Sequence, residues 1–537
     1  MIRFLLVTAA SFAAGVALYA SYQPTGLWWM APLGFAVFFL ALNHALNRAL
    51  SSSGTSTRQV WGWSLWLSWV QAMGCYLFLL PWVGEEVGAV AWIGLSLLES
   101  IFGLLFGAGV VVLALWSRRR QGGDGTVSGS LPTLVLVIGV PAWFVATEWV
   151  RSNWPFGGFG WSRVAWGQIT GPMENWVSVA GPALVTFMVV VSGMGVALLV
   201  ARKWVTAGSA LAVTLGGGLV LGLVPTAWGG TTDATDTSDA ESTNIVAVQG
   251  NVPRMGLDFN SQRTAVLQNH LDATHKLAEE IDSGERERPD LVIWPENSSD
   301  INPLTNSWAN EEISEAAKAV GVPILVGTVT SDEVGARNTF IVWDPETGPG
   351  DQHIKKYLQP FGEYMPMRDF LRNFSPYVDQ AGNFKPGDGP GVVEADGVSL
   401  GVATCYEVSF DEAYRDAVRN GATVFASPTN NATFNFSEMT YQQLAMNRMR
   451  AIEYDRSVVV AATSGVSAIV DPDGDVVDRT DIFRAGLLQE EIELRDTETM
   501  SARIGPVGEW LLVAVGAGLV LFAGVQAVMN SKNKKKR

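Results

Sequence analysis

The sequence is poor in the residues that build most metal centres and covalent staples. Its 537 residues include two cysteines, Cys75 and Cys405, and four histidines, His44, His270, His275 and His353. Two cysteines exclude a disulfide framework. The histidines fall in no metal-ligand spacing, so no metal and no cofactor is expected. Charge is scarce as well, at 16% of residues, where a soluble protein carries about 25%. Lys and Arg number 36 against 52 Asp and Glu, a net charge of −16. That balance excludes nucleic acid as the main partner, because binding it takes clustered basic residues.

What the chain has in plenty is apolar surface: 48% hydrophobic residues, 21 of them tryptophan. An ordinary cytosolic globule, a disordered chain and a collagen-like fibre are all excluded. A bilayer-crossing helix takes about 20 mostly apolar residues. Eight stretches qualify, near 2–21, 27–46, 61–82, 87–116, 131–150, 177–200, 206–226 and 507–529. The first lacks a clear cleavage site and other spans follow closely, so it reads as an anchor rather than a signal peptide. Glu99 falls in mid-span, where an ionisable group is either functional or a buried polar contact; the sequence leaves both readings open. Loop 153–168 is aromatic and glycine-rich, which fits a lipid entrance or a plain interfacial belt.

Short loops set orientation through their Lys and Arg. With the N-terminus inside, the inner loops carry Arg48 and Arg58, Arg118 to Arg120, and Arg202 with Lys203, and the basic tail 531–537 is also inside. The expected organisation is a seven-helix transmembrane domain (1–226), a linker (227–242), an extracytoplasmic domain (243–505), a closing transmembrane helix (506–530) and that tail.

From about residue 243 the pattern changes. Strand-like runs fall at 244–249, 291–294, 323–329, 339–343, 398–404, 422–426 and 457–462, and helix-like runs at 262–281, 309–319, 410–419 and 439–455. Strands alternating with helices predict a layered α/β domain. Ser409 is the expected N-cap of the third helix and Gly421 its C-cap.

Three strand-end segments carry chemistry. Gly397-Val398-Ser399-Leu400-Gly401 matches a serine-hydrolase pattern, but its serine opens a strand and no histidine follows, so it is discarded. Cys405 closes the run 398–404, at the end of the strand where open sheets bind ligands. A nucleophilic thiol needs its pKa lowered by a base or cation, and with no histidine well placed the base must be a carboxylate or a lysine. Leu291-Val292-Ile293-Trp294-Pro295-Glu296 is an apolar strand ending in a carboxylate, and Lys355-Lys356-Tyr357-Leu358-Gln359-Pro360-Phe361-Gly362-Glu363 supplies lysines. Each segment alone reads better as ordinary surface or core.

Together, W-P-E, K-x-x-L-x-P-F-G-E and a strand ending C-Y-E resemble the nitrilase superfamily at three independent places. With the membrane layout, the chain resembles that superfamily's membrane-embedded branch, the apolipoprotein N-acyltransferases. Val248-Gln249-Gly250-Asn251-Val252-Pro253, Glu148-Trp149-Val150-Arg151 followed by Gly158-Phe159-Gly160-Trp161, and Asn447-Arg448-Met449-Arg450-Ala451-Ile452-Glu453 resemble further motifs of that family. Departures fall at Thr433 and Asn435, where the family has tryptophan and glycine, at Gly160 in place of a proline, and at Phe259 near a missing tryptophan.

The resemblance implies a polytopic α-helical bundle of eight spans joined to an α/β nitrilase-like α-β-β-α sandwich. It implies a bacterial plasma-membrane enzyme that moves an acyl chain from the sn-1 position of a phospholipid, through a Cys405 thioester, to the α-amino group of a diacylglyceryl apolipoprotein. In that scheme Glu296 is the base and acid and Lys355 the oxyanion holder, with Lys355 preferred over Lys356 for its three-residue spacing to Leu358. Glu363, Tyr406 and Glu407 are further site residues. A membrane-tethered amidase needs fewer spans than eight, and a non-catalytic receptor or transporter has no use for Glu296, Lys355 and Cys405 together.

Overall fold

A computed structural model describes residues 1–51, 57–120, 130–228, 241–252, 259–373, 376–379 and 381–536. The chain divides into two compact units, Met1–Thr226 with Ile504–Arg537, and Ala227–Arg503. Most of the expected linker, the stretch 253–258 and Arg537 lie outside the described residues.

The first unit is helical: α1 (Ile2–Tyr19), α2 (Met30–Ser51), α3 (Thr57–Leu79), the short α4 (Gly84–Val87), α5 (Ala89–Arg120), α6 (Ser130–Asn153), α7 (Val177–Val200), α8 (Trp204–Leu211) and α9 (Gly217–Leu221), with the C-terminal helix Val507–Lys536. Helices satisfy their own backbone, the condition for crossing lipid. Among the described residues seven helices are long and apolar enough to cross a membrane, α8 and α9 counting within one, Trp204–Leu221. The expected eighth, over 61–82, exists as α3 but falls short in apolarity, because Trp61, Trp63, Trp66, Trp69, Ser64, Ser68 and Gln71 dilute it. All eight expected stretches are thus helical, seven of them apolar enough to cross a membrane and α3 the more polar one.

The second unit is an α/β sandwich. After β1 (Ala227–Trp228) come β2 (Ser242–Gln249), α10 (Phe259–Asp282), β3 (Leu291–Ile293), α11 (Ser307–Val320), β4 (Ile324–Ser331), β5 (Ala336–Asp344), β6 (Gly348–Ile354), α12 (Arg368–Leu371), β7 (Val392–Ala395) and β8 (Val398–Val402). Then follow α13 (Asp411–Arg419), β9 (Val424–Thr429), α14 (Met439–Tyr454), β10 (Val458–Ala462), β11 (Ala468–Val470), β12 (Val476–Arg479), β13 (Gly486–Glu493), β14 (Glu498–Thr499) and α15 (Met500–Ile504). One six-stranded sheet runs β13-β2-β3-β4-β5-β6 and the other β12-β11-β10-β9-β8-β7. In each, two neighbouring pairs are parallel, β2–β3 and β3–β4, β8–β9 and β9–β10, and the rest antiparallel.

Period-two alternation builds the layers. Ile245, Ala247, Leu291 and Ile293 enter one core with Leu400, Val402, Val424 and Ala426 of the other sheet. Their neighbours Val246, Val248, Val292 and Trp294 pack with Leu267, Leu271, Ile313 and Ala317 of α10 and α11. On the second sheet's outer side, Tyr414 of α13 meets Phe425 of β9 edge-on at 4.8 Å.

Every expected strand and helix is present, with ends shifted by a few residues. The cap of α13 is corrected: its N-cap is Phe410, while the Ser409 hydroxyl donates to the Tyr406 carbonyl at 2.9 Å. Asn420 closes that helix and Gly421 follows at φ 93°. Strands β6, β7 and β11 to β13 were not expected; β6 and β12 carry exposed polar residues that hide their period.

Candidate active site

Each segment singled out in the sequence delivers one side chain to the same place. β3 stops at Ile293, and Pro295 turns the chain so that Glu296 follows, 4% exposed. Gly327 of β4 makes this possible, because a Cβ there would meet the Pro295 carbonyl at 2.2 Å. Lys355 is the first residue after β6, 1% exposed, with its amide donating to the Asn338 carbonyl at 2.9 Å. Cys405 does not end a strand as expected. It lies three residues past β8, at the start of a 3-10 turn (Cys405–Ser409). Its φ of 48° is left-handed, a conformation a non-glycine residue holds only where its surroundings enforce it.

The enforcing group is Glu407. One carboxylate oxygen accepts from the Thr404 amide at 2.9 Å, and the other from the amides of Lys356 at 2.7 Å and Tyr357 at 2.9 Å. A single buried side chain thus ties the cysteine turn to the lysine segment. Burial raises its pKa, while the Lys355 charge and these three amides act the other way. Tyr406 is buried with its ring edge on Phe410 at 5.3 Å, and Tyr357 stacks on the same phenyl at 4.7 Å.

Lys355 sits between two carboxylates. Its Nζ lies 2.9 Å from Glu296 Oε1 and 3.0 Å from Glu363 Oε1. Asn338 duplicates the bridge, its Nδ2 donating to the same two oxygens at 2.7 and 3.1 Å. The second oxygen of Glu296 accepts the Asn430 amide at 3.0 Å, and that of Glu363 accepts the Gln359 amide at 2.7 Å. Lys356 points elsewhere, to Asp416 at 2.7 Å. Burial would lower the Lys355 pKa, but Glu296 and Glu363, then Cys405 and Glu407, hold it well above the usual lysine value.

The cysteine behaves against expectation. Burial first, and then the charge of Glu296, push its pKa up to about 12, with Lys355 and a Thr429 hydroxyl opposing. Burial is the main reason, and the ammonium expected to favour a thiolate is in addition already shared by two carboxylates. At neutral pH that direction keeps Cys405 a thiol, and the Glu296 carboxylate is close enough to raise it further.

Glu296, Lys355, Cys405 and Glu407 are buried and the partly exposed Glu363 joins them through Lys355, with Tyr406 behind the cysteine turn. Sequence reasoning missed Asn338 and the Asn430 amide. Asn338 carried a weak signal, a buried amide in a strand whose following residues Thr339 to Trp343 are all buried. Ser399, of the discarded serine pattern, hydrogen-bonds Glu394 at 2.7 Å on β8. Among the described residues no three His, Cys, Asp or Glu side chains are grouped to hold a metal ion.

Two family profiles match the chain. Residues 14–195 match the apolipoprotein N-acyltransferase N-terminal domain, and residues 245–502 match carbon-nitrogen hydrolase. An apolipoprotein N-acyltransferase of Mycolicibacterium smegmatis is 41% identical over 96% of this chain and 84% of that protein. One from Shewanella oneidensis is 26% identical over 95% of this chain and 94% of that protein. Among solved structures, an amidase from Nesterenkonia sp. is 18% identical, covering 49% of this chain and 94% of its own, with a TM-score of 0.33.

Proposed function

The chain belongs to the apolipoprotein N-acyltransferase family, a membrane-protein family of lipoprotein N-acylation, and from that premise we propose that it acylates the α-amino group of a diacylglyceryl apolipoprotein with the sn-1 chain of a phospholipid, through a Cys405 thioester. The observation that carries the residue assignment is the Glu296–Lys355–Glu363 cluster electrostatically coupled to Cys405.

In the first half-reaction Glu296 takes the thiol proton as Cys405 Sγ attacks the ester carbonyl. The tetrahedral oxyanion forms against the Lys355 ammonium, whose charge is fixed in place before reaction begins. Collapse breaks the ester C–O bond, Glu296 returns its proton to the leaving alkoxide, and lysophospholipid departs. In the second half, the lipoprotein amine attacks the thioester, Glu296 takes a proton from that nitrogen, and the Cys405 sulfur leaves and is reprotonated. Covalent catalysis splits one hard transfer into two easier ones.

Asn338 and the Asn430 amide hold Glu296 in one orientation throughout. Glu363 shares the lysine and positions it. Glu407 supports the cysteine turn, and Tyr406 backs it. Residues 1–226 and 506–530 serve as the membrane domain, 227–242 as linker and 531–537 as a cytoplasmic tail. The Lys and Arg of loops such as Arg118 to Arg120 support an extracytoplasmic face for residues 243–505.

Purified full-length protein incubated with phospholipid and a synthetic diacylated lipopeptide tests the reading. A triacylated peptide and one lysophospholipid per turnover support it. Cleavage of small amides with no lipopeptide product would turn the assignment to an amidase.

A further inference from the structure

Helix α3 poses a question that acyl transfer does not answer: why a long helix packed among membrane spans carries Ser64, Ser68 and Gln71 on its buried side. In hydrocarbon each unsatisfied polar group costs several kcal/mol, so these side chains need partners. Ser64 has one, donating to the Gly107 carbonyl of α5 at 2.8 Å. The two helices touch at backbone distance there. A Cβ on Gly103 or Gly107 would lie 2.7 Å from the carbonyl of Ser68 or Ser64.

Ser68 and Gln71 are different. They are 2% and 3% exposed, and Ser68 Oγ and Gln71 Nε2 have no hydrogen-bond partner among the described residues. Both line a cavity of about 50 Å3 within the bundle, whose wall also includes Tyr76, Glu148 and Arg151. Arg151 is engaged by Glu99 at 2.9 Å, by the Ser162 carbonyl at 3.1 Å and by the Ser162 hydroxyl. Glu148 accepts from the Val164 amide at 2.9 Å and the Thr186 hydroxyl at 2.8 Å.

This wall selects its guest. Arg151 is already shared by Glu99 and Glu148, so an anionic guest would find its cation spent and meet an excess carboxylate in a low-dielectric site. The unpartnered amide nitrogen requires an acceptor, and the serine hydroxyl offers both roles. A water needs roughly 10–15 Å3 and two to four polar partners. We propose that the cavity is a built site for a cluster of about three or four water molecules, joining Ser68 and Gln71 of α3 to the Arg151–Glu148 pair of α6. The polarity that sets α3 apart from the other long helices is then spent on an internal wet joint.

The test uses full-length protein in lipid nanodiscs. Hydroxyl radicals generated from water by a short X-ray pulse label side chains next to bound water. Tyr76 should label at least fivefold faster in the native protein than in the Ser68→Ala, Gln71→Leu double variant, while buried Phe35 and Phe38, away from the cavity, label equally in both. A high-resolution cryo-EM map of the native protein gives a second reading that needs no variant. Discrete water density bridging Gln71 to Arg151 or Glu148 is expected. Unchanged Tyr76 labelling, a map without water there, or a lipid headgroup or acyl chain in the cavity would each overturn the proposal.

Discussion

Both units of the molecule bury cations between carboxylates, Arg151 in the helical unit and Lys355 and Arg450 in the sandwich, and the Arg151 and Lys355 clusters differ in what surrounds them. In the helical unit Arg151 contacts Glu99 at 2.9 Å and Glu148 at 3.5 Å. In the sandwich Lys355 contacts Glu296 at 2.9 Å and Glu363 at 3.0 Å. The guanidinium is a planar fork whose donors are also spent on Ser162, and Glu148 in turn holds the Val164 amide. Every member fastens the segment that follows α6. The ammonium is a compact point charge that lies in the field of a thiol, while its carboxylates also hold the Asn430 and Gln359 amides. On the proposed mechanism the same charge pattern is a clasp in one place and a reaction centre in the other. What separates them is the shape of the cation and whether a nucleophile shares the site.

The sharpest break of this comparison is chemical. Glu296→Gln keeps size and removes the base, and should cost about 10²–10⁴ in turnover with the fold intact. Lys355→Ala should cost about 10²–10³, and Lys355→Arg should fail too, because the fork is not isosteric with ammonium. Lys356→Ala, whose lysine pairs with Asp416, should stay near native activity in the same assay. Comparable losses at 355 and 356 would show that the spacing picked the wrong lysine.

The clasp should break in a different currency. Arg151→Met leaves Glu99 and Glu148 buried without their cation, a cost of about 3–5 kcal/mol. Thermal unfolding in detergent should report it as a lowered midpoint. Phospholipid-dependent acylation per folded molecule should fall far less than in Lys355→Ala. Equal losses per folded molecule would erase the distinction between the clusters.

Acid should discriminate the units next. His270 and His353 belong to the sandwich, and burial lowers both to about 4 from an ordinary 6.5. A depressed pKa contributes stability that is complete above the unfolded value and lost as pH falls through the folded one. The sandwich should therefore weaken between about pH 6.5 and 4, by a few kcal/mol at about 1.4 kcal/mol per unit. Hydrogen exchange of β2 and β6 peptides against pH checks it, and His353→Phe should flatten the profile.

The smallest effect concerns the resting thiol. With Cys405 pushed up to about 12, its alkylation by iodoacetamide should climb steadily above pH 8. An inflection near neutral pH would reveal a preformed thiolate and a different first step.

The sequence announced the site better than the site's electrostatics. W-P-E, K-x-x-L-x-P-F-G-E and C-Y-E each place a reactive residue just past a strand, and strand ends are legible from period and punctuation. Contacts across the fold are not. Nothing in the spacing of Asn338 says that it bridges Glu296 and Glu363, and Glu99 and Arg151 stand 52 positions apart. A lysine near a cysteine suggests a lowered thiol pKa, until the fold shows two carboxylates already holding that lysine. The stretch 61–82 reads as a span like its neighbours, and its tryptophans, serines and glutamine are what set α3 apart in apolarity. Strands β6 and β12 went unread because exposed polar residues interrupt their alternation.

The central claim, that Cys405 carries the acyl group, has a direct measurement. Full-length protein is given phospholipid without any lipoprotein amine, so that the thioester lacks its acceptor, and its intact mass is recorded. The account predicts one added acyl chain, mapped to the peptide containing Cys405, released by hydroxylamine and absent in Cys405→Ala, with Cys75 unmodified. An acyl group on any other residue, or turnover that survives Cys405→Ala, would contradict it.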